Sequence, residues 1–170
     1  MAGKSIIEDN QYLTFILGNE KYAINIINTR EVLESTVLTT VPRMPDFMCG
    51  VINLRGSVVP ILDLKLKFGM EIKAEDIRGN IIITEVDDLD GNDNKLIIGI
   101  YTDSVQKVLT IEPSDIEAAP KIGIPINTEF IYGMGKVDNE FIILLNINKI
   151  LNSDDLQLLK DSDDIEDSDE

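Results

Sequence analysis

The side chain in this sequence with the clearest chemical potential is an arginine placed in a turn. Arg55-Gly56 separates the apolar runs of the segment Gly50–Leu64, which reads as strand, two-residue turn, strand. In a type I′ turn Arg55 must take a positive φ, which costs a residue other than Gly, Asn or Asp on the order of 1 kcal/mol. A guanidinium presents several donors at once to a carboxylate or to carbonyl oxygens. A recognition role and a plain solvated turn arginine both fit the sequence at this point.

Other chemistries find no support. The chain has no histidine, so His-based triads, His–zinc sites and His general bases are absent. The single cysteine, Cys49, cannot form an intramolecular disulfide and reads as a small apolar residue near a loop. Asp88-Leu-Asp90-Gly91-Asn92-Asp93 looks like a calcium loop. With Gly91 at the sixth position, however, the first and twelfth fall on Val86 and Ile97, which cannot ligate. Gly3-Lys4-Ser5 has no preceding strand, and Gly135-Lys136 runs into Val137, so neither is a phosphate loop. Asp63, at the end of a strand, reads as a cap for the next helical turn. No catalytic, cofactor-binding or metal-binding residue is therefore assigned.

The elements that hold Arg55 occur twice. Eighty-three positions downstream, Gly50 matches Gly133, Arg55-Gly56 falls on Asp138-Asn139, Val58–Leu62 on Phe141–Leu145 and Asp63 on Asn146. Two copies of one hairpin imply two related subdomains. A weaker echo links Tyr22-Ala-Ile to Ile98-Gly-Ile, followed by Val32-Leu33 and Val108-Leu109. Strands are expected at 12–17, 21–24, 80–86 and 96–101. Short helical turns are expected at Asp46–Cys49 and Lys65–Phe68, and helix at 148–151 and from an Ser153 cap to 160. Asn25–Glu34 is compatible with helix or strand. The second hairpin is expected to reach Ile147. The pattern predicts a mainly β chain of two small antiparallel barrels packed together. They would span 11–70 and 80–151, joined by a linker at 71–79 and followed by a C-terminal helix at 152–160.

The 170 residues carry a formal charge of −16, and seven of the last ten residues are acidic. That balance argues against nucleic acid or anionic lipid as partners. The tail at 161–170 has Ile165 as its only apolar residue and is expected to be disordered. No run approaches the ~20 apolar residues of a membrane span. Ala2 follows Met1, so the myristoylation pattern is absent. A cytoplasmic protein with no direct membrane insertion is expected.

Asn53-Leu54-Arg55-Gly56 followed by Val59-Pro60-Ile61-Leu62-Asp63-Leu64 and Phe68-Gly69 resembles the chemotaxis coupling protein (CheW) family. So do Phe15-x-Leu17-Gly18-x-Glu20-x-Tyr22-x-Ile24, Glu31-Val32, Gly99-Ile100, Asp103-x-Val105, Val108 and Leu144–Ile147 with Ile150-Leu151. The resemblance covers about residues 11–160. It implies two five-stranded barrels related to SH3 domains. It also implies a non-catalytic adaptor, monomeric when isolated and recruited to membrane-associated arrays. There it would couple the cytoplasmic tips of chemoreceptors to the regulatory domain of the histidine kinase CheA. By motif it places Glu31, Gly50, Asn53, Arg55 and Gly56 at the receptor contact, and the opposite charges of Glu31 and Arg55 suggest that these two pair. It places Val32, Leu33, Val37, Thr39 and Val41, in a strand around 37–41, at the kinase contact. Ile122 falls at a ring contact between signalling units. Thr29 stands where the family often carries Val, and the acidic tail lies outside the pattern. A coupling module of a CheV-type protein or of the kinase itself, and a small-ligand-binding barrel, are the alternatives.

Overall fold

The Gly50–Leu64 segment forms the expected hairpin, and so does its copy. A computed structural model describes residues 10–70, 79–87, 95–120, 126–152 and 154–158. Eleven strands are described: β1 (Gln11–Leu17), β2 (Glu20–Asn25), β3 (Thr29–Glu34), β4 (Met48–Leu54), β5 (Ser57–Asp63), β6 (Asn80–Asp87), β7 (Lys95–Thr102), β8 (Ser104–Thr110), β9 (Ile116–Glu117), β10 (Ile131–Val137) and β11 (Glu140–Leu145). A short helix α1 (Leu64–Lys67) follows β5, and Asp63 caps it by accepting from the Lys65 and Leu66 amides. Both hairpin turns carry two consecutive positive φ values, 53° and 88° at Arg55-Gly56 and 51° and 66° at Asp138-Asn139. This is the type I′ signature.

The strands sort into two sheets, ordered β3-β6-β7-β5-β4 and β8-β1-β2-β11-β10-β9. The second repeats the first strand for strand and adds β9 at its edge. The correspondence includes the pairing sense: β5 runs parallel to β7 through Ile61↔Gly99, and β11 runs parallel to β2 through Leu144↔Ala23. These residues are matched by the two sequence echoes. Each unit is thus a mainly antiparallel SH3-like sheet with one parallel pair, not a wholly antiparallel one.

Strand pairing cuts across the expected chain division at 71–79. The β1–β2 hairpin joins β8, β10 and β11 rather than β3–β5, so the first unit is a contiguous stretch, β3–β7, set inside the second. A hairpin carries its own local signal but none for the distant strand it will pair with in parallel. The chain passes between units at Asp103. Its carboxylate meets Lys65 Nζ at 2.7 Å and accepts the Gly18 amide at 2.8 Å, tying one unit to the other.

Local expectations are corrected at several places. Residues 46–47 form a turn, and Cys49 lies in β4, because Met48 already pairs with Leu62. Asn25–Glu34 resolves into a 3-10 turn at Ile26–Asn28, capped by Asn25, and then β3. The strand around 37–41 is reduced to one bridge, Thr39↔Val51. β11 ends at Leu145, where Asn146 caps a 3-10 turn at Ile147–Lys149. The helical stretch at 154–158 is capped by Asn152, whose side chain accepts from the Asp155 amide while Asp155 accepts from the Asn152 amide. Strands β8 and β9 carry no clear sequence signal of their own. The tail, the calcium-like loop at 88–93, most of the linker, the Ser153 cap and Ile122 lie outside the described residues. No described helix is long and apolar enough to cross a membrane.

Strand periodicity explains the core. Ile81 and Ile83 point into a cluster private to the first unit, with Val59, Ile61 and Tyr101. Tyr12, Ala23, Ile142 and Leu144 form the private cluster of the second. The alternate residues, among them Phe15, Tyr22, Ile24, Leu62, Ile82, Ile100, Ile143 and Leu145, meet in one larger cluster shared by both units. Strands buried on both faces read as continuous apolar runs, as Ile81–Ile83 and Ile142–Leu145 do. A stacked series of rings, Phe15–Tyr22–Phe68–Phe130, crosses the shared cluster.

Gly50 belongs to this packing. It is buried in β4 with φ at 154°, and a Cβ there would lie 2.5 Å from the Thr39 carbonyl oxygen. Gly50→Ala is expected to destabilise the protein by about 2–3 kcal/mol, combining backbone strain with forced separation of the 39/51 bridge. Chemical denaturation checks this; a loss below ~0.5 kcal/mol would contradict the close approach.

Candidate docking site

Arg55 is lifted clear of the sheet by its turn, and the Asn53 side chain fixes that turn by accepting the Gly56 amide at 2.9 Å. The arginine side chain stays 70% exposed, so nothing in the core dictates its identity. It nevertheless has one defined partner. Nη1 and Nη2 donate to the two oxygens of Glu31 at 2.6 and 2.9 Å, a parallel two-bond pairing. The hydrogen bonds from Arg55 hold the Glu31 carboxyl below its ordinary 4.5. Desolvation opposes this, and the Arg55 and Arg30 charges reinforce it. The same hydrogen bond raises the Arg55 pKa further. The expected pairing is therefore present.

The pair stands at the rim of a groove of about 560 Å³. Its floor is apolar, from Leu54, Val58, Pro60, Ile83, Leu96 and Ile98, and its polar rim includes Arg30, Glu31, Arg55 and Lys95. Two further ion pairs flank it, Arg30–Glu85 at 3.2 Å and Lys95–Asp87. An apolar floor with a charged rim suits an amphipathic segment that buries one face and presents polar groups at its edges.

A second groove of about 420 Å³ runs along β4, where the first runs along β5, and shares Leu54 with it. Leu33, Val37, Thr39, Val51, Asn53 and Leu54 contribute to it. Val37 is 92% exposed, the most exposed large apolar side chain described.

The residues singled out from sequence thus separate. Glu31 and Arg55 share the first groove. Gly56 is exposed in the same turn, and Asn53 lines the second groove while holding that turn. Gly50 lines neither. Of the other set, Leu33, Val37 and Thr39 line the second groove. Val32 is exposed outside its lining, and Val41 turns toward the shared core. Sequence reading missed Arg30, Lys95 and Leu96–Ile98, which reach the first groove from β3 and β7. Only strand pairing brings β7 beside a turn 40 positions earlier. Thr29 Oγ1 is buried with no hydrogen-bond partner among the described residues, which fits a position suited to Val.

Comparison with known proteins gives a consistent result. The profile of the CheW-like domain matches residues 11–155. The Chemotaxis protein CheW of Klebsiella aerogenes is 33% identical over 159 residues, covering 94% of this chain and 90% of that protein. The Chemotaxis protein CheV3 of Helicobacter pylori is 28% identical over 86% of this chain but only 45% of its own length. The crystal structure of the scaffolding protein TtCheW from Thermoanaerobacter tengcongensis superposes with a TM-score of 0.73 at 31% identity, covering 85% of this chain and 90% of that one.

The depressed Glu31 pKa carries a pH signature. The ionised pair is complete above the ordinary carboxylate value of 4.5 and is lost only as pH falls through the lower folded-state value. In a carboxyl-detected NMR titration Glu31 is expected to titrate below 4.5, and Arg55→Ala should move its midpoint back up. A parent midpoint at or above 4.5 would contradict the pairing.

Proposed function

The chain belongs to the CheW-like family and is a chemotaxis coupling adaptor, and from that premise we propose that it joins the cytoplasmic tips of chemoreceptors to the regulatory domain of a histidine kinase of the CheA type. It acts without catalysis, through two docking surfaces along the two strands of one hairpin. It works in the cytoplasm, as a monomer when isolated, and reaches the membrane through its receptor partner.

The observation that carries this reading is the Glu31–Arg55 pair. The protein tolerates a positive φ at Arg55, then spends the guanidinium on an exposed partner rather than on the core. An exposed pair adds little to stability, so orientation of the arginine at the groove rim is the better account of its presence. The 560 Å³ groove is the proposed receptor surface, with Glu31, Arg55 and Gly56 at its edge and Asn53 supporting the turn. Gly50 supports the same hairpin from beneath. The second groove, with Leu33, Val37 and Thr39, and with Val32 and Val41 nearby, is the proposed kinase surface. An apolar side chain as exposed as Val37 fits a partner that covers it. Ile122 is the proposed ring contact. The reading as a CheV-type module rests on a match that spans less than half of that relative.

Binding assays with a receptor cytoplasmic fragment and a kinase regulatory domain separate the two surfaces. Arg55→Glu is expected to keep the fold and weaken receptor binding by ~1.4 kcal/mol, a tenfold effect, or more. Kinase binding should change little. Adding Glu31→Arg should restore receptor binding if the two residues pair directly. Val37→Asp should show the reverse selectivity, with loss at the kinase domain. Receptor binding of Arg55→Glu equal to the parent, or its unfolding, would remove Arg55 from the receptor surface.

A further inference from the structure

Arg30 reaches the groove through a defect in its strand. Between Thr29↔Thr84 and Glu31↔Ile83 the β3–β6 register slips by one residue, and Arg30 is the inserted residue. A bulge re-aims the side chain it carries. In a regular strand consecutive residues face opposite sides, yet Arg30 and Glu31 both line the same groove. β3 is also an edge strand, so the bulge sits where a docking partner can approach.

The second unit repeats the bulge. β8 carries its extra residue opposite Leu13/Phe15, and the 76-position echo that matches Val32 to Val108 sets Gln106 against Arg30 and Lys107 against Glu31. The backbone device is shared by both units. At the position of Arg30 itself the second unit has the neutral Gln106, with its lysine, Lys107, at the position of Glu31, and it has Asp138 at the position of Arg55. The fold therefore requires the bulge but not an arginine on it.

We propose that Arg30 is a specificity-determining residue of the receptor groove, a second guanidinium that engages a carboxylate on the docked segment. The inference rests on the groove being the receptor surface. Arg30 is held ready through Nε by Glu85 at 3.2 Å, with side-chain exposures of 53% and 33%. A guanidinium carries four further N–H donors, and an exposed ion pair is weak enough to exchange one carboxylate for another. Glu85 is then a competitor for Arg30 as well as its resting partner.

The test measures affinity of the full-length protein for a purified chemoreceptor cytoplasmic fragment across a salt series, with Arg55→Glu measured alongside. Arg30→Glu is expected to weaken binding about fivefold or more and to flatten the salt dependence, with Arg30→Lys intermediate. Glu85→Gln, which frees Arg30, is expected to tighten binding about twofold, an effect that a purely structural ion pair would not produce. Circular dichroism and Tm confirm that each variant is folded. If Arg55→Glu loses receptor while Arg30→Glu binds like the parent, or if Glu85→Gln weakens binding, the assignment of Arg30 is overturned and the groove assignment stands. If neither arginine variant changes receptor binding, both fall together.

Discussion

Burial of strands on both faces is the constraint on which the rest of this structure depends. Each unit has a private cluster of only a few large side chains, too little for independent stability in a unit of this size. The alternate residues of the same strands supply the larger shared cluster. The two units therefore fold as one body, and their relative orientation is set by packed rings and aliphatic side chains. Burial pushes the Tyr22 phenol well above its ordinary 10, with Glu20 adding to the effect. Its hydroxyl has no partner among the described residues, so the ring is retained for its packing. Polar ties among the described residues reinforce this packing. Asp103 joins Lys65 and Gly18 at the crossover, and Lys67 meets Asp155 at 2.9 Å while lying over the Phe47 ring.

A rigid two-unit body frees the hairpin turns for chemistry. The two units share strand order, pairing sense, bulges and type I′ turns, so their differences stand out against a common frame. Arg55 becomes Asp138, Glu31 becomes Lys107 and Arg30 becomes Gln106. Asp138-Asn139 suits its turn by local preference, whereas Arg55 opposes it. Departure from local preference at one copy and not the other fits the proposal that binding, rather than folding, selected Arg55.

Much of this was legible in the sequence because it is local. The hairpins, their turns, the Asp63 cap and the positive φ at Arg55 follow from residue types at fixed spacing. The Glu31–Arg55 contact was reached through motif resemblance and opposite charge. What was not legible depends on long-range pairing. The β1–β2 hairpin gives no sign that it joins β8 and β11. The bulge at Arg30 is a register slip that neither strand reveals alone. Met48 reads as part of a helical turn until its pairing with Leu62 is known. Lys95–Ile98 read only as a strand, and their place at the groove follows from β7 lying beside β5.

The central claim is that one hairpin carries two docking surfaces for two different partners. Amide hydrogen exchange on the full-length protein, with each partner added separately, tests it most directly. The receptor fragment should slow exchange at 30–31, 55–58 and 95–98 while leaving 37–39 and 51–53 unchanged; the kinase regulatory domain should do the reverse. Protection of one and the same groove by both partners would contradict the account.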